Sequence, residues 1–131
     1  MQPLSTSSIL ATTSDVYPNF KLKTTISTIF LEHDKHILVL MRCLKEDQPS
    51  TWGVPGGKAE HNESPKETLY RELREETQID ISNEKVEYHG HRFARIPGWD
   101  YIVHLYHAVL KDRPVVQLDP KEHVKYEWVS M

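Results

Sequence analysis

The chain has 131 residues, the length of one domain that can bury a single core without disulfides or a structural metal. Hydrophobic residues make up 38% of the sequence and charged residues 27%, which is typical of a globular protein rather than a disordered or fibrous one. The net charge of -3 excludes the broad basic surface that holds long nucleic acids, but it leaves room for a small anionic substrate.

Residues 1–18 are rich in Ser, Thr and Pro without periodicity, and they predict a flexible N-terminal arm before a domain that spans residues 19–131. The sequence has no cationic start and no long apolar stretch, so neither secretion nor membrane insertion is expected. Cys43 is the only cysteine and lies in an apolar run, where core packing is the usual role. These features predict a reducing, cytoplasmic location.

The first predicted elements are two runs rich in β-branched and aliphatic residues, separated by a polar break at residues 33–35. They predict a hairpin in which residues 21–31 pair with residues 36–44. The polar, Gly-containing and Pro-containing stretch over residues 45–57 predicts a surface loop.

A helix is predicted next. Ser64 is suited to be its N-cap, Pro65 its first residue, and Glu67 the partner of Ser64 in a capping box. The helix should run to about Gln78.

Three further strands are predicted near residues 85–96, 100–110 and 124–130, with a turn at residues 97–98 between the first two. One helix among about five strands favours an α+β or α/β fold over a pure helical bundle or barrel.

The predicted helix carries a group of carboxylates on one face. At 100° per residue, Glu72, Glu75 and Glu76 fall at about 0°, 300° and 40°, while Leu69 and Leu73 lie on a neighbouring stripe that can face a core. Clustered carboxylates repel one another, and a hard divalent cation with oxygen ligands would offset that repulsion. A solvated helix face is the simpler interpretation of such a charge run taken alone.

The surrounding spacing favours the metal site. Gly57 is followed by five residues, then Glu63, then seven residues, then Arg-Glu-Leu-Arg-Glu-Glu over residues 71–76. This pattern resembles the motif of the Nudix hydrolases, and the likeness extends over roughly residues 21–130. The sequence departs from the motif at Gln78, where the family has a glycine, and a non-glycine residue there costs about 1 kcal/mol if the helix ends in a left-handed conformation.

The resemblance implies a Nudix-type α/β/α sandwich with a mixed β-sheet, from which the usual C-terminal helix would be absent because the sequence stops at Met131. It also implies hydrolysis of a pyrophosphate bond in a nucleoside diphosphate linked to another group, with a nucleoside triphosphate as the favoured substrate. The cofactor would be Mg²⁺, with Mn²⁺ as a substitute.

Roles for individual residues follow from the same resemblance. The implied metal ligands and catalytic carboxylates are Glu72, Glu75, Glu76 and Glu122, with the carbonyl oxygen of Gly57 as a further metal ligand. Support of the site would come from a pair formed by Glu63 and Arg71, since the planar guanidinium suits a carboxylate. Arg42 matches a family arginine that contacts substrate phosphates, and Lys58 is a further candidate for substrate binding. Apart from the resemblance, Trp99 could stack a nucleobase, as aromatic residues at a loop mouth can.

Several alternatives stay open on the sequence. The substrate could instead be ADP-ribose or a dinucleoside polyphosphate, and the chain could be a nucleotide sensor with weak activity or an interaction domain with a solvated acidic helix. His89, His91, His104 and His107 suggest a rival zinc site, but no cysteine or carboxylate accompanies them at zinc-ligand spacing. No membrane partner is expected, and a homodimer is open.

Overall fold

In the computed structural model, residues 10–43, 51–96 and 98–131 are described. Their regular structure is a seven-stranded sheet, one α-helix and one short 3₁₀ turn at Ser14–Val16. The elements in chain order are β1 Leu22–His33, β2 His36–Arg42, β3 Trp52–Gly53, β4 Gly56–Lys58, α1 Pro65–Thr77, β5 Glu87–Ile96, β6 Trp99–Val109 and β7 His123–Ser130.

The sheet is mixed, as the sequence predicted. Its main order is β3-β2-β1-β6-β5, with β4 paired to β1 and β7 paired to β2. The β1–β6 pairing is parallel and the other pairings are antiparallel. With α1 packed against it, this sheet confirms the α+β class. In the described part of the chain, α1 supplies the one α-helical layer.

The predicted β1–β2 hairpin is present but short. It turns through Asp34 and Lys35, both with positive φ, as a tight hairpin turn requires, and the two strands share only two residue pairs. On their other edges, β1 pairs with β6 from Leu22 to Glu32, and β2 pairs with β7 from His36 to Arg42. The sequence prediction of a pairing between residues 21–31 and 36–44 was therefore wrong over most of its length. The reason is that β4 occupies the same edge of β1 at Ile26–Thr28, and β3 occupies the same edge of β2 at Leu40–Met41.

The predicted loop over residues 45–57 lies partly outside the described residues, which resume at Thr51. Its second half contains β3 and β4, and β4 pairs with the middle of β1 from Ile26 to Thr28. At Gly56 a β-carbon would collide with the Ser27 carbonyl of β1. The glycine therefore allows β4 to lie directly against β1, close to the helix.

Helix α1 has the predicted N-terminus. The Ser64 hydroxyl accepts from Glu67 N at 3.1 Å, and the Glu67 carboxylate accepts from Ser64 N at 2.9 Å. Leu69 and Leu73 are fully buried against the sheet. They join a core that also contains Ile29, Leu31, Leu38, Leu40, Ile79, Ile81, Tyr106, Ala108 and Leu110. A hydrogen bond of 2.8 Å from Ser27 Oγ to the Pro65 carbonyl ties the helix start to β1.

The three later strands lie close to their predicted bounds, and Pro97 of the predicted turn is outside the described residues. At the N-terminus, Ala11 is buried and forms a two-way backbone bridge with Phe93 of β5. The division between an arm and a domain at residues 18–19 stays a prediction.

No helix in the described ranges combines the length and the apolar character needed to cross a membrane.

Candidate active site

The centre of the site is Glu76, which projects from α1 toward β4. Only 4% of Glu76 is exposed, and its Oε1 accepts a hydrogen bond of 2.9 Å from Gly56 N. A β-carbon added at the next residue, Gly57, would collide with the carboxyl group of Glu72. Gly57 thus lets the backbone of β4 approach Glu72, which a larger residue would push away, while the amide of Gly56 holds Glu76.

Arg71 links the remaining carboxylates of the motif. Its guanidinium forms a two-point contact with Glu63, through Nε at 2.6 Å and Nη2 at 3.0 Å. Its Nη1 donates to Glu72 at 2.8 Å and to Glu75 at 3.0 Å, and its Nη2 also reaches the Lys58 carbonyl. The pairing of Glu63 with Arg71 expected from the resemblance is therefore present, although its role toward a metal stays a prediction.

The start of β7 and the residue before it bring a histidine and a further carboxylate to the same place. Glu122, His123 and Glu76 each offer one ligand atom, and these atoms lie within 4.8 Å of one another. His123 is the register partner of Arg42 on β2, and the Glu122 carbonyl accepts from Cys43 N at 2.8 Å. Pairing of β2 with β7 is thus what carries Glu122 to α1.

The electrostatics of the cluster show why carboxylates here need a positive charge. Burial, followed by the negative charge of Glu72, raises the pKa of Glu76 well above its usual range. Burial likewise raises the pKa of Glu72, against the opposing hydrogen bond from Arg71. The Arg42 charge acts on Glu76 in the other direction and lowers its pKa. Buried oxygen ligands of this kind fit a divalent cation, which would compensate their charge.

His123 is a residue that the sequence analysis missed. It is 6% exposed, its Nδ1 is buried without a hydrogen-bond partner, and burial lowers its pKa to about 4, so the ring is neutral near pH 7. A neutral imidazole beside Glu76 and Glu122 is a further candidate ligand. The sequence could have indicated His123 as a candidate ligand, because it directly follows Glu122 and directly precedes a predicted strand.

Of the residues expected to contact substrate, Arg42 has an electrostatic effect on the carboxylate cluster, whereas Lys58 and Trp99 contact other side chains. Arg42, at the end of β2, acts electrostatically on Glu76 and therefore lies close to the carboxylates. The Lys58 ammonium lies 5.3 Å from the ring centroid of Tyr101, and Trp99 lies at the start of β6, 54% exposed, with Lys23 Nζ over its ring at 4.3 Å. The substrate contacts of Lys58 and Trp99 stay predictions.

Comparisons with known proteins agree with this arrangement. The family model for the NUDIX domain matches residues 21–131. The chain is similar to an 8-oxo-dGTP diphosphatase from Proteus vulgaris, with 45% identity over 51 residues, 37% of this chain and 46% of that relative. It is also similar to a CTP pyrophosphohydrolase from Escherichia coli, with 31% identity over 105 residues, 73% of this chain and 76% of the relative.

Among solved structures, a MutT protein from Methanosarcina mazei superimposes with a TM-score of 0.70 at 26% identity, over 84% of this chain and 80% of that chain. Since the family match covers most of the sequence and the motif residues converge in the fold, the chain belongs to the Nudix family, among its MutT-like members.

Proposed function

We propose that this protein is a Mg²⁺-dependent hydrolase that cleaves a pyrophosphate bond in a nucleoside diphosphate linked to another group. The observation that carries the proposal is the convergence of buried Glu76 with Glu72 and Glu122 beside the Gly56–Gly57 backbone. A solvated helix face would not bury Glu76 to 4% exposure, because an uncompensated buried carboxylate is costly. The family match supports chemistry at phosphoric anhydride bonds.

In this proposal the cation would be held by Glu72, Glu75, Glu76 and Glu122, with the Gly57 carbonyl as a further ligand and Mn²⁺ as a substitute. A bound Mg²⁺ neutralises phosphate oxygens and makes a bound water more acidic. The guanidinium of Arg71 is held by Glu63, and it orients Glu72 and Glu75 through its hydrogen bonds to them.

Two residues of the β2–β7 pair have separate tasks in the proposed reaction. Arg42 lies where its charge already acts on Glu76, and it binds a substrate phosphate. Glu122 lies close to Glu76, and besides its place among the metal ligands its carboxylate accepts the proton of the attacking water.

The favoured substrate is a nucleoside triphosphate. The two named relatives, a diphosphatase of 8-oxo-dGTP and a pyrophosphohydrolase of CTP, support this class without selecting the base. The Proteus match covers less than half of that relative, so its activity enters here only as support. Lys58 and the exposed ring of Trp99 are the proposed contacts for phosphate and base. We further propose a cytoplasmic protein whose catalytic domain starts at residue 19.

The test is an assay of phosphate or pyrophosphate release in Mg²⁺ with a panel of nucleoside triphosphates, oxidised guanine nucleotides, ADP-ribose, dinucleoside polyphosphates and nucleotide sugars. We expect turnover of at least one triphosphate, with lower rates on the other classes. Tight nucleotide binding without turnover of any compound, by protein shown to be folded, would overturn the hydrolase and support a sensor.

The ligand assignment is tested separately by Glu76→Gln, which keeps the side-chain volume and removes the charge. We expect kcat to fall about 100-fold or more, because a buried ligand to the cation is lost. Exposed Glu84 provides the matched control, and Glu84→Gln should keep the rate of the parent protein. A Glu76→Gln variant as active as the control, at the same Mg²⁺ concentration, would remove Glu76 from the metal site.

A further inference from the structure

A second group of metal-ligand side chains lies at the β5–β6 pair, outside the candidate active site. It consists of Glu87, His89 and His107, which each offer one ligand atom, and these atoms lie within 4.8 Å of one another. We propose that these three residues bind a transition metal ion of the Zn²⁺ type.

The register of β5 and β6 places the three residues on one face of the sheet. Glu87 and His107 are direct cross-strand partners, and His89 follows Glu87 by two residues, so it projects to the same side. The His89 and His107 rings are 5.7 Å apart between centroids. Tyr106 and Ala108, on either side of His107, face the core under α1, so His107 faces away from the helix.

A bulge between Tyr88 and His91 separates the histidines of β5 into two groups. One extra residue in β5 at this point shifts the register, and Gly90 takes a positive φ of 87° there. His91 then pairs with His104, the residue whose Nδ1 bonds the Tyr88 hydroxyl at 2.8 Å. The four histidines that the sequence singled out therefore do not share one site. His89 lies with His107, and Glu87, two residues before His89, supplies the carboxylate that the sequence analysis did not expect.

Glu32 of β1 supplies the contact that orients His107. His107 Nε2 lies 2.9 Å from Glu32 Oε1, and the Glu32 carboxylate is largely buried, with 15% of its side chain exposed. A carboxylate that accepts from one ring nitrogen fixes the tautomer, so that the lone pair is on the other nitrogen, Nδ1. This arrangement of carboxylate, histidine and metal recurs in zinc sites.

The donor set selects the class of ion. Two imidazoles suit Zn²⁺ and similar transition metals, whereas Mg²⁺ prefers oxygen ligands alone. Glu87 and Glu32 together carry the charge that a divalent ion needs, because the imidazoles bind in their neutral form. Glu87 and His89 are exposed, so small rotations can bring their ligand atoms to bonding distance of about 2 Å.

The site can be tested by isothermal titration of the full chain with Zn²⁺ in an excess of Mg²⁺, in the Glu76→Gln background, which weakens the competing carboxylate cluster. We expect about one Zn²⁺ per chain to bind, and the ring ¹⁵N resonances of His89 and His107 to shift in NMR spectra. The absence of Zn²⁺ binding in this background would overturn the proposal. The outcome is independent of nucleotide hydrolysis.

Variants then assign the ligands. His89→Gln and His107→Gln should each weaken Zn²⁺ binding at least tenfold, and Glu32→Gln about 10-fold to 100-fold through the lost contact to His107. His91→Gln, on the same strand and the other face, is the matched control and should leave the affinity unchanged. Equal weakening by His91→Gln, or unchanged binding in folded His89→Gln and His107→Gln proteins, would contradict the assignment. Circular dichroism verifies the fold of each variant.

Discussion

At the scale of single residues, Arg71 shows how one side chain organises the site. Its side chain is 19% exposed and contacts Glu63, Glu72, Glu75 and the Lys58 carbonyl. Partial burial strengthens these charged hydrogen bonds relative to a surface ion pair. The resemblance to the Nudix motif implied the contact with Glu63. The Lys58 contact depends on β4 and could not be read from the chain.

The Glu63–Arg71 pair predicts a specific dependence of stability on pH. The hydrogen bond from Arg71 lowers the pKa of Glu63 from 4.5 to about 2. A depressed folded-state pKa means that the stabilisation is complete above about pH 4.5 and is lost as the pH falls toward about 2. Glu63→Gln should lower the free energy of unfolding by about 1–3 kcal/mol at neutral pH, a difference that shrinks as the solution is acidified.

Urea denaturation at a series of pH values measures this difference. Glu84→Gln, at an exposed position, is the control and should follow the parent protein throughout. If the gap between Glu63→Gln and the parent protein stayed constant down to about pH 3, Glu63 would not be the titrating group.

At the scale of elements, helix α1 obeys local rules at its start and departs from them at its end. The capping box at Ser64 and Glu67 is present as predicted. At the other end, Gln78 takes the left-handed conformation, with φ 60° and ψ 20°, and its N–H donates to the Arg74 carbonyl at 2.9 Å. The motif glycine would adopt this conformation without strain, so the helix ends where the family pattern requires despite the residue change.

Gln78→Gly should therefore stabilise the protein, by about 0.5–1 kcal/mol, because the relief of left-handed strain exceeds the added flexibility of the unfolded chain. The Gln78 side chain is exposed, so little packing is lost. Thermal unfolding by calorimetry measures the effect, and Gln78→Ala is the control that removes the side chain but retains the strain. A glycine variant no more stable than the alanine variant would show that the conformation costs nothing here.

At the scale of the whole molecule, β1 is the organising strand. It pairs with β6 along one edge and with β4 and β2 along the other, and Ile29 and Leu31 are completely buried. In the described residues, β7 is paired to β2 alone. The middle strand thus has hydrogen-bond partners on both sides, whereas β7 has an outer edge whose alternate amides point away from the sheet.

Native-state hydrogen exchange should reveal this difference. We expect the amides of β1 from Ile26 to Leu31 to exchange only through global unfolding, and alternate amides of β7 to exchange much faster through local opening. Residue-resolved NMR exchange, with the denaturant dependence of each rate, makes the comparison within one sample. Equal protection of β1 and of every β7 amide would contradict the described sheet order.

The sequence by itself determined what depends on near neighbours. Four such features lie within one short segment. They are the bounds of α1, its capping box, the shared face of Glu72, Glu75 and Glu76, and the spacing from Gly57 that indicates the Nudix family. Helical periodicity fixes which side chains meet over such distances. The family match over residues 21–131 confirmed that the chain belongs to the Nudix family.

Only the tertiary structure decided the rest. Three features join residues that are far apart in the chain or lie across a bulge. They are the parallel β1–β6 pairing, the position of Glu122 and His123 beside Glu76, and the grouping of His89 with His107. An alternating strand pattern shows which face a residue occupies, but it does not show which strand will lie beside it. Strand partners depend on the burial of complementary faces across the whole domain. This effect acts between distant residues, so the spacing of residues within one segment does not predict it.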